Sequence, residues 1–386
     1  MRNIRVVWKQ RKYLSCVALA LGWWSAMIMD VGVASPGLAV SPTQSAQTVK
    51  VTPLGSNAGD FCRDDRALLF EDPTGVRVLW DPGRTINGGA DARLGDVHVI
   101  ILSHAHVDHI GDRLHQTSDG CGGNATGALF PQSNLAAIAA AKNTAVFAGG
   151  EMADFLARKV QNIRGSATAG CPAAGLTNEM TVPLTSPCTA ALRPGGSRTV
   201  RFSGASAGVK FASVPAFHSN GIPASLVDAP GVAPNTTGYG GDEGGFVVKF
   251  TNGLTVYLTG DTGLFGDMET IVRRFYQPNL AVMNMSDTVT LGPDEAAFAA
   301  KELIQPQTVI PSHINEAATE GGAVRAGTRL ERFISQVRVS QSGVGGLGDL
   351  FRGLGRPART PAIDVVLPLS GATREFDGRG RCVNCP

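Results

Sequence analysis

Ser103-His104-Ala105-His106-Val107-Asp108-His109 is the stretch on which the reading of this chain turns. It follows the apolar run Val97–Leu102 and precedes Ile110-Gly111-Asp112. Four side chains able to ligate a metal, His104, His106, Asp108 and His109, fall within six residues. Crowding imidazoles and a carboxylate in this way costs desolvation and order, and a bound ion offsets that cost. The cluster therefore points to metal-assisted hydrolysis. The plain alternative is a solvated histidine-rich loop. His218, Asp261 and His313, further along the chain, weigh against it.

Each of these groups lies just after a predicted strand. The cluster follows Val97–Leu102, His218 follows Val209–Pro215, Asp261 follows Leu254–Leu258, and His313 follows Thr308–Ile310. In α/β sheets, ligands gather beyond the carboxyl ends of the strands, so four such loops can converge. Together they offer five imidazoles and two carboxylates. A structural zinc site closes with four ligands. Seven suit two ions held ~3.5–4 Å apart by a shared carboxylate.

Further segments complete a pattern: Asp81-Pro82, Ala216-Phe217-His218-Ser219, Gly260-Asp261-Thr262-Gly263-Leu264-Phe265-Gly266-Asp267-Met268 and Pro311-Ser312-His313. With these in order, the chain resembles the metallo-β-lactamase superfamily over roughly residues 49–370. It is most similar to the branch of metal-dependent hydrolases related to L-ascorbate-6-phosphate lactonase and N-acylphosphatidylethanolamine-hydrolysing phospholipase D. The resemblance implies an α/β fold, a four-layer αββα sandwich. It implies that His104, His106 and His218 bind a first metal, that Asp108, His109 and His313 bind a second, and that Asp261 bridges them. It implies that Asp81 supports the ligand loop without binding metal. The expected cofactors are two divalent ions, zinc first, with Mn or Fe as alternatives. Asp108 and Asp261 are the expected catalytic carboxylates, and a hydroxide between the ions attacks a lactone or ester carbonyl. Phosphodiester cleavage on the same fold is the second reading, and a non-catalytic metal-binding or disulfide-stabilised binding protein is the third. An aspartate at the bridging position makes the antibiotic-cleaving enzymes with cysteine there a poorer match.

Composition sets the wider limits. Of 386 residues, 43% are hydrophobic and 17% charged, enough for a sizeable core. The net charge of +2 argues against a nucleic-acid partner, leaving a small molecule as the expected substrate. Forty-eight glycines and 6% aromatics fit a loop-rich α/β protein better than a helical bundle. Residues 1–34 read as a signal peptide, with a basic start at Arg2, Arg5, Lys9, Arg11 and Lys12, the 17-residue apolar run Tyr13–Met29, then small residues. Cleavage is favoured over a retained membrane anchor because the run is short. The mature protein is then expected to be periplasmic or secreted, without stable membrane insertion. Residues 35–48 read as a linker.

Six cysteines remain after the signal: Cys62, Cys121, Cys171, Cys188, Cys382 and Cys385. An even number in an exported chain suggests disulfides, with Cys171–Cys188 and Cys382–Cys385 as the simplest local pairs. Residues 112–198, 221–245 and 338–360 read as insertions and 371–386 as a cysteine-bearing tail. Within them, Ala136–Ala141 and Glu151–Val160 read as helices and residues 165–198 as loop. Gly292–Ile304 reads as a helix opened by proline and acids. Tyr239 and Asp242-Glu243 are candidates for a lid, and Asn315 and Glu316 for substrate contact. Asp267 reads as a brace for the Asp261 loop. His98 and His115 have no motif around them and read as structural.

Overall fold

A computed structural model describes residues 47–227, 236–338 and 362–386 of the chain. The expected signal segment, nearly all of the linker and all but the first residue of the 338–360 stretch lie outside the described residues. Among the described residues, no helix is long and apolar enough to cross a membrane.

Strands β1 (Val49–Pro53), β2 (Leu68–Glu71), β3 (Arg77–Trp80), β4 (Val99–Leu102) and β5 (Ala145–Ala148) come first. Then come β6 (Ala169–Gly170), β7 (Glu179–Val182), β8 (Cys188–Ala191), β9 (Ser197–Phe202) and β10 (Gly208–Pro215). A small hairpin, β11 (Gly221–Pro223) with β12 (Thr237–Tyr239), precedes β13 (Gly244–Lys249), β14 (Thr255–Leu258), β15 (Leu280–Asn284) and β16 (Thr308–Ser312). A second hairpin, β17 (Thr319–Glu320) with β18 (Ala323–Val324), and the strands β19 (Asp364–Val365) and β20 (Arg374–Phe376) end the series. One eight-stranded sheet has the order β20-β1-β2-β3-β4-β5-β8-β6, and the other has β19-β16-β15-β14-β13-β10-β9-β7.

The layers follow from the two-residue period of a strand. Val99 and Ile101 of β4 face the other sheet, while Ile100 and Leu102 face helices. Between the sheets, Trp80 packs on Phe246, Phe70 on Phe250 and Phe147 on Phe211, with ring centroids 6.0, 5.7 and 5.3 Å apart. Helices Asn134–Lys142 and Met152–Arg164 cover the first sheet through Leu135, Ile138, Leu156 and Val160. Ser133 accepts a bond from the Ala136 amide at the start of the first, and Gly165 ends the second in the left-handed conformation. Helices Met268–Tyr276, Pro293–Phe298 continuing as Ala299–Ile304, and Arg329–Arg338 cover the second sheet through Met268, Val272, Ala296, Ala300 and Phe333. This is the expected αββα sandwich.

Three expectations need correction. The 112–198 segment supplies strands to both sheets, since β5, β6 and β8 extend the first and β7 extends the second. Residues 165–198 are therefore not all loop. β6 and β8 are short and rich in small or polar residues, so they carry no hydrophobic period and exist through pairing with neighbours, while β7 alternates over only four residues. The 221–245 loop contains the β11–β12 hairpin. The cysteine-bearing tail is also part of the sheet, because β20 pairs antiparallel with β1, Val49 facing Phe376. Both local cysteine pairs form, and Cys62 bonds Cys121 across 59 residues.

Strand directions place the ligand loops together. β10 and β14 both run antiparallel to β13, and β15 and β16 run parallel to β14. Their carboxyl ends therefore lie along one edge of the second sheet, while those of β3 and β4, which are parallel, share an edge of the first.

Candidate metal centre

The chain leaves β4 at Ser103 and enters the short helix Val107–Ile110, which turns His104, His106, Asp108 and His109 toward the β10, β14 and β16 loops. Asp261 follows β14 and reaches both halves of the cluster through one atom. Its Oδ2 lies 3.2 Å from His313 Nε2, 3.4 Å from His109 Nε2, 3.6 Å from His218 Nε2 and 3.9 Å from His104 Nε2. His218 Nε2 faces His106 Nδ1 at 3.2 Å. Asp108 Oδ2 lies 3.3 Å from His313 Nε2 and 3.8 Å from His109 Nε2. All seven expected ligands thus converge, in the groups His104, His106, His218; His104, His109, Asp261; and Asp108, His109, His313.

Two observations show that these residues fit metal ions. First, His104 Nε2, His109 Nε2 and Asp261 Oδ1 are buried without a hydrogen-bond partner. Each such atom costs ~1–3 kcal/mol unless something satisfies it. Second, a tetrahedral ion with bonds of ~2.0–2.1 Å needs ligand atoms ~3.3–3.4 Å apart, close to many of the separations found here.

Supporting bonds aim the imidazoles. Asp81 follows β3 at φ 35°, a left-handed conformation unusual outside glycine and a mark of functional strain. Its Oδ1 accepts from the Ser103 amide at 2.9 Å and its Oδ2 from Ser103 Oγ at 2.7 Å. His109 Nδ1 lies 2.8 Å from Asp81 Oδ2, which leaves Nε2 for the cluster. Ser103 Oγ, having donated to Asp81, accepts from His104 Nδ1 at 3.0 Å and frees that Nε2 as well. Asn220 Oδ1 accepts from the Ala105 amide at 2.7 Å, tying the cluster to the β10 loop. Asn284 donates to Gly260 O at 2.5 Å and so steadies the Asp261 turn. Gly260 adopts φ 60°, and a Cβ there would come within 2.8 Å of Ser103 Cβ, so the two loops can meet only with glycine at this position.

The charges are strongly coupled. Burial, then the charge of His109, pushes His104 well below the ordinary imidazole range. Burial and then His218 push His106 down to about 4. Burial opposes a charged His109, but Asp261, Asp108 and Asp81 outweigh it and push the group up to about 10. Burial likewise opposes charge on Asp261, yet His313 and His109 hold it far below the usual carboxylate range. Asp108 is held well below that range by Arg66 and then His109, against its own burial.

The other candidates fall outside the cluster or brace it. Asn315 Oδ1 accepts from Arg66 at 2.9 Å, and Glu316 is bound to Arg329 at 3.2 Å. Glu243 accepts from the His218 amide at 3.2 Å and so braces the His218 loop. Tyr239 is exposed, its hydroxyl 3.5 Å from Asp242 Oδ1. Thr270 donates to Asp267 at 2.7 Å where the following helix begins. His98 Nδ1 accepts from the Arg77 amide at 2.9 Å. Sequence reasoning missed Arg66, whose Nη2 lies 2.6 Å from Asp108 Oδ2. Nothing in the spacing of a charged loop links position 66 to positions 108 and 313.

A beta-lactamase superfamily domain matches residues 76–314 of the chain. The chain belongs to the metallo-β-lactamase superfamily. A UPF0173 metal-dependent hydrolase from Cupriavidus necator is 26% identical over 311 residues, covering 78% of this chain and 90% of that protein. A protein of the same description from Pelotomaculum thermopropionicum is 31% identical over 241 residues, 62% of this chain and 77% of its own length. Among solved structures, Igni18, a metallo hydrolase from Ignicoccus hospitalis, is similar at 19% identity with a TM-score of 0.48, covering 86% of this chain and 99% of that one.

Replacing Asp81 with Asn keeps its shape but removes the charge facing His109 and Ser103. Metal affinity is expected to fall ~10–100-fold, the range for a lost partner of a metal-binding imidazole. Competition against a chelator of known affinity checks this. Unchanged affinity would mean that Asp81 does not orient His109.

Proposed function

We propose that this metal-dependent hydrolase is exported and opens lactones or esters at a centre of two divalent ions, zinc first, with Mn or Fe as alternatives. The observation that carries the two-ion reading is the reach of Asp261 Oδ2 to His104 and His218 on one side and to His109 and His313 on the other. Such ions, when bound, supply Lewis acidity and lower the pKa of a water to about 7. The chain's own residues divide the remaining work. Asp261, kept ionised, holds the two histidine groups in register. Asp108 is the more exposed of the two carboxylates, its side chain 22% accessible, and can orient the attacking water by a hydrogen bond. Serine and cysteine nucleophiles are not required.

The rim supports a neutral substrate with an apolar part. Phe217, next to His218, is 63% exposed, and Leu264, three residues after Asp261, is 44% exposed. The two segments are joined, the Gly263 amide donating to Phe217 O at 3.0 Å. Arg66, the cation against the ligands, already serves Asp108 and Asn315, which weighs against its use in holding a phosphodiester.

Lactones, aryl esters and bis-aryl phosphodiesters offered side by side to the metal-loaded protein test the reaction. A kcat/KM at least ~10-fold higher on a carbonyl substrate, about 1.4 kcal/mol of transition-state preference, is the expected result. Turnover confined to diesters would move the assignment to a phosphodiesterase. Bound metal with no turnover on any of the three would favour a binding protein. Export is supported by the basic and apolar N-terminal pattern and by three disulfides, which persist in oxidising compartments. The mass of protein recovered from the cell envelope should lack about the first 34–39 residues. An intact N-terminus in the membrane fraction would replace cleavage with anchoring.

A further inference from the structure

We propose that Arg66 is a built-in competitor for the second ion, so that the two metal positions differ in affinity and the second fills only when Arg66 is displaced. The inference rests on the two-ion reading above. Arg66 lies in the loop between β1 and β2 and is 5% exposed. Its Nη2 is 2.6 Å from Asp108 Oδ2, 3.0 Å from His313 Nε2 and 2.9 Å from Asn315 Oδ1. Asp108 Oδ2 and His313 Nε2 are atoms that the second ligand group turns inward. The guanidinium is always charged and only donates. A His313 Nε2 that accepts its N–H spends the lone pair that an ion would take. An Asp108 oxygen neutralised by it is a weaker ligand, and an arriving divalent ion meets a positive charge at close range.

The first group differs. Around His104, His106 and His218, the side-chain hydrogen-bond and ion-pair partners among the described residues are Ser103, Ser219, Asp261 and one another, with no arginine or lysine among them. None of the described guanidinium or ammonium groups contacts those three histidines.

Arg66 also has somewhere to go. Its Nη1 lies 3.8 Å from Asp64 Oδ1, a buried carboxylate whose other oxygen is held by the Ala125 amide at 2.9 Å. A small pivot would exchange Asp108 for Asp64 without exposing the charge. The loop that carries Arg66 is meanwhile fixed by the Cys62–Cys121 bond and by Asp65, which accepts from the Cys62 and Ser56 amides at 2.9 and 2.8 Å. The backbone thus stays in place while the side chain chooses between two anions.

Apo protein titrated with Zn²⁺ alone, against a competing chelator, tests the proposal through stoichiometry and stepwise affinity. The wild-type chain should show two steps, the second at least ~10-fold weaker, in the range by which a neighbouring group alters metal affinity. Arg66→Met should tighten the second step and leave the first unchanged, whereas general loosening of the site would weaken both. Asn315→Gly removes one acceptor that holds Nη2, suits the φ of 57° at that position, and should shift the second step in the same direction. Two steps with the same spacing in all three proteins would overturn the role of Arg66 while leaving the two-ion reading intact. A single step of one ion per chain in all three would overturn both. If Arg66→Met does not fold, Asn315→Gly and the wild-type isotherm decide, and equal affinities in the wild-type chain overturn the proposal.

Discussion

Asp261→Asn is expected to lower turnover on any cleaved substrate by roughly 10²–10³-fold, the scale set by removing one preorganised electrostatic group from a catalytic centre. The loss comes from two effects. The amide carries no charge to offset the ions, and it offers one oxygen where the carboxylate offers two. Asp261 Oδ2 is the atom shared between the histidine groups, so its neutralisation weakens both. Bound metal should fall below that of the wild-type chain, read by elemental analysis after desalting. The fold should survive, because the sheet-to-sheet core around Trp80, Phe147 and Phe246 does not depend on this carboxylate. Unchanged turnover in a well-folded Asp261→Asn protein would reject the bridging role.

Removal of bound metal is the second large effect. At ion concentrations of ~1,000 times the dissociation constant, binding to the native state alone stabilises it by about 4 kcal/mol. For a domain of this size, chelation should lower Tm by on the order of 5–10 °C. The pH dependence has a definite sign. In the ion-free protein, His109 is raised from 6.5 to about 10 by Asp261, Asp108 and Asp81 acting against burial. Its attraction to those carboxylates is fully present below pH 6.5 and is lost as pH rises through about 10. The ion must displace the same proton, so binding strengthens over that window. The gap in Tm between loaded and chelated protein should therefore widen from pH 7 to pH 9. A gap that narrows would show that His109 does not hold a proton in the ion-free site.

The convergence of the candidate residues was legible because they lie in local motifs. Four of them sit on one strand-to-helix turn, and the other three each follow an apolar strand, so the carboxyl ends of the strands alone predicted their meeting. Thr251-Asn252-Gly253 forms the turn of the β13–β14 hairpin, where Gly253 takes φ 99°. Arg66 was not legible. Its contacts with Asp108, His313 and Asn315 arise only when a loop before β2 is folded beneath the β4 and β16 loops. β5 was missed because Ala145-Val146-Phe147-Ala148 is too short to show a period, although all four residues are buried. β6 and β8 are defined by their partners more than by their own side chains. The helix Met268–Tyr276 escaped notice because the long Asp261 motif runs directly into it.

The pairing of β1 with β20 has a consequence for the order in which the protein is made. Thr48 Oγ1 donates to Glu375 across 327 positions, and Val49, Lys50 and Val51 lie opposite Phe376, Glu375 and Arg374. The strand β1 must wait for residues 374–376 to leave the ribosome before this pairing can form. Contacts of such long range form slowly, since the loop they close is ordered before they repay it. Until then β1 keeps an unpaired edge, open to wrong partners.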